Sequence, residues 1–330
     1  MSAPPSLAIS VVICAYTTER WPDLVAAVES VQRQTVPPHE IIVVVDHNPD
    51  LLQLVRTRLP GVVAVESREQ PGLSGARNSG VAAAQGAIIA FLDDDAVAAP
   101  EWLACLTAAY NTTPHVIGVG GAIEPLWDSA RPRWFPAEFN WVVGCTYLGM
   151  PTRATPVRNL IGCNMSFRRE VFAGVGGFRS GIGRVGTRPV GCEETEFCIR
   201  VCQAYPQGVL LYEPRAAVRH RVRRDRAHWR YFRQRCFSEG LSKAQVARAV
   251  GASAALSNER RYTTRVLPRG VVQGVTRAVL GRDVRGGLGR VASITAGLAI
   301  TTVGYLTGSF FVVPAAHERG WSGPLPGEQP

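Results

Sequence analysis

The sequence predicts an α/β fold, a mostly parallel central sheet with helices on both faces, continued by a basic helical extension at its C-terminal end. Three observations predict it. The first 110 residues alternate short β-branched runs with amphipathic stretches, the pattern of βαβ units whose strands are buried on both sides. At 330 residues the chain can bury a large core. Its charge is divided: residues 1–150 carry 8 basic and 15 acidic side chains, net −7, and residues 151–330 carry 28 and 11, net +17. Halves of opposite sign imply different tasks, with an anionic partner for the second.

The elements follow in order. Leu7 to Ala15 is apolar and β-branched, a buried strand. Trp21 to Gln34 places Leu24, Val25, Val28 and Val31 at helical spacing, and Pro37-Pro38 stops it. Glu40 to Val45 is a second strand ending at Asp46, 50–59 a short helix and 62–66 a third strand. Gly72 to Gln85 is a helix and Ala87 to Leu92 a fourth strand, followed at once by Asp93-Asp94-Asp95. Ligands on such sheets sit beyond the carboxyl ends of the strands, so Tyr16, Asp46 and Asp93 to Asp95 belong to one pocket. From about 117 the pattern loosens. Strands are expected at 117–123 and 162–167, an irregular excursion rich in Pro, Trp and Phe at 127–150, a helix at 193–204, and strand pieces at 209–212 and 217–218. The last dozen residues, rich in Gly and Pro, read as frayed.

Three adjacent carboxylates repel one another, so something positive must stand beside them. A divalent cation carrying a diphosphate would supply it, since hard metals take carboxylate and phosphate oxygens; the plain alternative is an acidic turn ahead of the helix begun by Pro100-Glu101-Trp102. The eight cysteines are scattered without a CxxC pair. Cys192, Cys198 and Cys202 have no nearby histidine at zinc spacing, so they read as core residues in a reducing cytoplasm. No signal-peptide pattern precedes Leu7. No GxGxxG follows the first strand, which argues against a hydride-transferring Rossmann enzyme.

Seven segments then occur together: Ser10 to Tyr16 (SVVICAY), Val43 to Asp46 (VVVD), Gly72 to Gly80 (GLSGARNSG), Phe91 to Asp95 (FLDDD), Gly162 to Glu170 (GCNMSFRRE), Gly176 to Phe178 (GGF) and Glu193 to Phe197 (EETEF). In this order they resemble the family-2 inverting glycosyltransferases of the GT-A fold, over about residues 8–220. The resemblance implies a metal-dependent transfer of a sugar from a nucleotide-diphosphate sugar, UDP-linked by preference, to a hydroxyl of a glycan or lipid-linked acceptor. It implies that Ala15, Tyr16 and Thr17 line the base pocket, with Glu19 a further nucleotide contact. Asp46 would accept from the base N–H, although His47-Asn48-Pro49-Asp50 replaces the family's usual continuation; the plain reading of Asp46 is a helix N-cap. Arg77 and Asn78 would lie by the donor sugar and diphosphate. Asp93 would touch the ribose or the metal, Asp94 would assist, and Asp95 would ligate Mn²⁺ or Mg²⁺. Asn164 would close the sugar site, and Gly120, Gly121 and Glu124 would face the acceptor. Glu194 aligns with the general base, with Glu193 in reserve; both could instead simply favour the helix dipole. His220 would be a third metal ligand, its pKa depressed by Arg219 and Arg221; its plain reading is a surface histidine. Trp127, Trp134, Phe135 and Trp141 would either stack on sugars or build core.

The division expected is a nucleotide-sugar-binding catalytic domain over 1–220, with its acceptor side at about 117–220, and a basic, partly apolar helical extension over 221–330. Arg215 to Arg235, interleaved with Trp229, Tyr231 and Phe232, would in isolation pass for a nucleic-acid patch. It leads, however, into 266–280, where Val271, Val272, Val275 and Val279 have helical spacing, and then into Val291 to Ala316, which carries no charge. Ten of those 26 positions are Gly, Ser, Thr or Tyr, which makes full insertion marginal. A basic amphipathic helix beside an apolar hairpin implies peripheral contact with an anionic membrane at its cytoplasmic face, not nucleic acid; a lid or dimer contact is the alternative. Two other functions compete. A sugar nucleotidyltransferase would open with a glycine-rich loop, and Cys14 to Arg20 has no glycine. A non-catalytic nucleotide-sugar binder would not need the acidic triplet together with Glu193-Glu194.

Overall fold

The first four strands form as β1 (Ile9–Ala15), β2 (Glu40–Val45), β3 (Val63–Glu66) and β4 (Ile88–Asp93), parallel and in the spatial order β3-β2-β1-β4. The computed structural model describes residues 7–179, 192–251 and 261–310. The frayed end expected for the last dozen residues, and 311–316 of the uncharged run, lie outside them. Helices α1 (Trp21–Gln32), α2 (Pro49–Arg58) and α3 (Leu73–Ala83) make the crossovers. Val11, Ile13, Val43 and Val45 on one face, and Val12, Ile42 and Val44 on the other, are buried, as continuous apolar strands require. Helix α1 stops short of Gln34, whose amide donates to Ala99 O (2.7 Å) and accepts from Leu103 N (2.9 Å). Tertiary bonds capture the residue that periodicity assigns to the helix.

Beyond Asp93 come β5 (Ala96–Ala98), α4 (Trp102–Tyr110), β6 (Val116–Trp127), a 3₁₀ segment (Ala137–Val143), β7 (Thr155–Pro156), β8 (Asn164–Arg168), α5 (Arg169–Val175), α6 (Glu193–Ala204) and β9 (Val209–Val222). The sheet extends as β4-β8-β6-β9-β5, with β7 also on β9. This half is mixed: β8 runs antiparallel to β4 and β6, while β6 and β9 are parallel. The parallel reading therefore holds for the first half, and the 144–163 excursion reverses the chain before β8.

The two strand pieces expected at 209–218 are one strand with an irregularity. Gly121 pairs with Glu213 and Ile123 with Val218, so 214–217 loop out against one residue of β6. The Ala216 carbonyl turns inward to where a side chain on Gly121 would stand, so Gly121 is required by close packing and not by an acceptor. Asn164 clasps this bulge. It donates to Ala216 O (2.8 Å) and Ala122 O (3.0 Å) and accepts from Trp102 Nε1 (2.8 Å). Asn164→Ala would orphan three buried groups, so urea unfolding should show a loss of roughly 3 kcal/mol.

The C-terminal helices α7 (Trp229–Val250), α8 (Leu267–Val279, entered through a π turn) and α9 (Val284–Phe310) pack on the same core, where Phe232, Cys236, Leu267 and Ile294 join the sheet's buried cluster. Helices α7 and α9 run side by side in the same direction: Phe232 meets Gly297, Phe237 meets Gly304, and Ala244 meets Gly308. Trp134, Phe135, Phe139, Trp229 and Phe232 interlock at ring separations of 5.1–5.7 Å. Most of the aromatic excursion is thus core. Val272, Val275 and Val279 on α8, Leu280 just after it, and Leu306 and Phe310 on α9 remain exposed.

Candidate active site

A cavity of about 670 Å³ opens at the carboxyl ends of β1, β2 and β4. Of the residues expected there, Ala15, Tyr16, Asp46, Arg77, Asp93, Asp94, Asp95, Glu193, Glu194 and His220 line it. Tyr16 is more than half exposed, its ring beneath the Arg20 guanidinium at 5.3 Å. Asp46 accepts from Gly72 N (2.9 Å) and meets His47 Nδ1 (2.7 Å). It does not cap α2; Asn48 does, accepting from Leu51 N (3.0 Å).

Four expectations need correction. Thr17 and Glu19 lie outside the cavity lining, in an exposed 3₁₀ turn where Thr17 Oγ1 accepts from Glu19 N (3.3 Å). Asn78 also lies outside it, because both ends of its amide hold the Phe178 backbone at 2.8 Å. Asn164 is spent on the β6–β9 bulge, as described. Glu124 is exposed and Gly120 is packed against Leu160, so neither they nor Gly121 line the cavity.

The acidic triplet is met by cations of the chain itself. Arg20 bonds Asp94 Oδ1 (2.9 Å) and lies 3.3 Å from Asp95 Oδ2, and Arg226 lies 3.6 Å from Asp95. His220 Nε2 is 3.0 Å from Asp95 Oδ1. Strand alternation turns Arg219 and Arg221 to the other side of β9, where Arg221 pairs with Asp23 and Asp128. The depression expected for His220 is therefore reversed: burial opposes its charge, but Asp95 holds its pKa well above the usual value. Burial likewise opposes the charge on Asp95, yet His220, Arg226 and Arg20 keep its carboxyl well below the usual range. Asp94 moves the other way, pushed up to about 7 by burial and by the Asp95 charge against the pull of Arg20.

Charge alone thus does not demand a metal. The donor set still fits one. Among the described residues, Asp94 Oδ2 and Asp95 Oδ2 are buried oxygens without a hydrogen-bond partner, Asp95 Oδ2 having only the ion pairs to Arg20 and Arg226. Asp93 faces the cavity, with ligand atoms of Asp93, Cys163 and His220 all within 4.8 Å of one another. Burial keeps the Cys163 thiol neutral, its pKa well above the usual value, so the carboxylates would lead for a hard cation.

The two glutamates at the start of α6 are not equivalent. Glu193 is buried and accepts from Arg77 Nη1 (2.9 Å); Arg77 also donates to Gly162 O (3.2 Å) and lies 3.8 Å from Asp93. Arg77 is therefore a buried tether between the triplet and α6, although it lines the cavity. Among the described residues, Glu194 has no such cation in hydrogen-bond contact. Burial and the neighbouring Glu193 push its pKa up to about 8, with Arg77 opposing.

Sequence reasoning missed Arg20, Arg226 and Cys163. Arg20 stood in the turn after the first strand, a readable position; Arg226 was hidden in a run of arginines. It also missed how far the C-terminal helices wall the cavity, through Tyr231, Arg235, Glu239 and Lys243 of α7 and Leu298, Thr301, Thr302 and Tyr305 of α9.

Residues 10–176 match the model of Glycosyl transferase family 2. The glucosyl-dolichyl phosphate glucuronosyltransferase of Haloferax volcanii is 36% identical over 238 residues, covering 71% of this chain and 76% of that protein. The succinoglycan biosynthesis protein ExoM of Rhizobium meliloti is 25% identical over 250 residues, covering 73% and 75%. Among solved structures, mannosyltransferase PcManGT from Pyrobaculum calidifontis, in complex with GDP-Man and Mn²⁺, aligns with TM-score 0.56 and 15% identity over 91% of this chain and 87% of its own. GalNAc-T7 with UDP, GalNAc and Mn²⁺ aligns with TM-score 0.51 and 17% identity, covering 80% of this chain and 57% of that one. These likenesses establish the GT-A fold.

Proposed function

The chain belongs to glycosyl transferase family 2 and is a glycosyltransferase, and from that premise we propose an inverting, divalent-cation-dependent transfer from a UDP-linked sugar to a hydroxyl of a lipid-linked glycosyl phosphate. The observation that carries it is the division of labour between Glu193 and Glu194 opposite the acidic triplet in one cavity. The acceptor class follows the Haloferax volcanii relative, whose name specifies a dolichyl phosphate sugar.

Tyr16 and Asp46 bind the nucleoside, as a ring face and a carboxylate at the ends of β1 and β2. Asp93 and Asp95 would hold Mn²⁺ or Mg²⁺, whose chemistry is Lewis-acid neutralisation of the departing diphosphate, and His220 would join them only on giving up the proton it shares with Asp95. Arg20 and Arg226 stand beside it to share the developing charge. Glu194 takes the acceptor hydroxyl proton as that oxygen attacks the anomeric carbon from the face opposite the diphosphate. The bond from carbon to diphosphate oxygen breaks and the configuration inverts. Arg77, by engaging Glu193, leaves Glu194 as the carboxylate that accepts the proton.

A base whose pKa is raised works only when deprotonated. Transfer should therefore rise about tenfold per pH unit below 8 and level off above it; a pH profile flat between 6 and 9 would remove Glu194 from this role. Thermal shift against UDP-glucuronate, UDP-glucose, UDP-N-acetylglucosamine, GDP-mannose and a dTDP-sugar, each with Mn²⁺, should single out one UDP-sugar.

The working place proposed is the cytoplasmic face of a membrane. Among the described residues, one helix, Val284–Phe310, is long and apolar enough to cross a bilayer by length and composition. Its packing against α7 and the exposed apolar side of α8 favour lying on the surface instead. Serine at Val272, Val275, Val279 and Leu280 should weaken flotation with anionic vesicles; unchanged flotation would rule this contact out.

A further inference from the structure

Strand register brings three unlike ligands to one point at the acidic triplet. Strands β4 and β8 are antiparallel with Leu92 opposite Asn164. The next pair outward is therefore Asp93 and Cys163, and directly opposed residues project from the same face. Strand β9 sets His220 opposite Ala96 of β5, just past the triplet. The Asp93 carboxylate, the Cys163 thiol and a ring nitrogen of His220 lie within 4.8 Å of one another, and all three residues line the cavity. Cys163 and His220 are buried, while Asp93 is partly open. The imidazole is held at both nitrogens: Nε2 is 3.0 Å from Asp95 Oδ1, and Nδ1 is 3.6 Å from Cys145 Sγ.

The Cys163 thiol has no part in the transfer proposed above. Mn²⁺ and Mg²⁺ are hard cations that take carboxylate and diphosphate oxygens. Thiolate selects softer ions, and a set of carboxylate, imidazole and thiolate binds zinc more strongly than manganese or magnesium. Bonds of about 2.0 Å to nitrogen and oxygen and about 2.3 Å to sulfur place the donor atoms of a tetrahedral ion about 3.3–3.8 Å apart. Atoms already within 4.8 Å therefore need to close by no more than about 1.5 Å to meet that geometry.

We propose that Asp93, Cys163 and His220 form a binding site for a zinc-class cation, and that this cation excludes the hard ion used in transfer. The exclusion rests on the transfer proposed above; the site itself does not. On binding, Cys163 gives up its thiol proton and His220 the proton it shares with Asp95, both to water. The freed sulfur and nitrogen lone pairs form the new bonds. His220 Nδ1–H stays directed at Cys145, as the second nitrogen of a metal-bound imidazole is ordinarily held by a partner. Asp93 cannot serve both ions at once. Three protein ligands leave a tetrahedral ion a single open position, whereas a hard ion coordinates six or more oxygens and has room for the diphosphate. A zinc-class cation thus stops transfer, and the thiol is what makes the cavity prefer it.

Co²⁺ stands in for Zn²⁺ and reports a bound thiolate by sulfur-to-metal charge-transfer absorption in the near ultraviolet. The metal-free full chain titrated with Co²⁺ should develop this band, and Zn²⁺ should bleach it. Zn²⁺ should bind at least about a hundredfold more tightly than Mn²⁺. It should also release Mn²⁺ bound together with UDP, seen as the electron paramagnetic resonance signal of the free ion. Cys163→Ser should remove the band and lower the preference for Zn²⁺ over Mn²⁺ at least about tenfold, whereas Cys145→Ser should keep the band. A melting temperature near that of the unaltered chain checks folding. Where Cys163→Ser folds poorly, Asp93→Asn should weaken Zn²⁺ about tenfold with the band retained. An absent band, or one that survives Cys163→Ser, overturns the site. Zn²⁺ that binds without releasing Mn²⁺ overturns the exclusion. UDP with Mn²⁺ is titrated separately: failure there removes the proposed transfer and leaves the zinc site to stand or fall on the Co²⁺ band.

Discussion

Glu194→Gln should lower the rate of transfer about a thousandfold, within the range that general-base catalysis contributes, while the donor still binds. Glutamine keeps the size and the polar oxygen of the side chain, so the start of α6 is undisturbed. What disappears is the carboxylate beside Glu193 that, among the described residues, has no arginine bonded to it. Glu193 cannot take over readily, because Arg77 Nη1 accounts for its Oε1 at 2.9 Å. Single-turnover measurement with saturating donor separates the proton-transfer step from product release. Transfer at the normal rate would show that another group takes the proton.

Asp95→Asn should be the most damaging change at the sheet's rim, and in two ways. The carboxylate is buried among His220, Arg20 and Arg226. Its neutral replacement leaves those cations without their shared partner, which costs roughly 3 kcal/mol or more. Dependence on Mn²⁺ should be lost together with donor hydrolysis, because the same side chain would hold the ion. Asp93→Asn serves as the contrast. Asp93 is more exposed and its nearest cation is Arg77 at 3.8 Å, so activity should fall with little loss of stability. Equal melting temperatures for the two variants would contradict this account.

The strand-rich first half of the fold was legible because its signals are local. Continuous apolar strands announce burial on both faces, and the carboxyl end of each parallel strand places Tyr16, Asp46 and Asp93 on one rim without further information. The misreadings share a cause. Asn78 and Asn164 stand in the matching segments, yet their amides are taken up by backbone groups 100 and 52 residues away, at Phe178 and Ala216. Spacing along the chain cannot reveal that. His220 shows the same limit, since its nearest charges in sequence are arginines and its nearest charge in space is Asp95. Arg20 and the α7 row were missed because nothing in an arginine-rich sequence marks which cations turn inward.

The roof over the cavity also has a consequence for how the enzyme is made. Leu298, Thr301, Thr302 and Tyr305 leave the ribosome after every other wall. A nascent chain therefore carries its parallel strands and acidic rim well before this last wall of the cavity is in place.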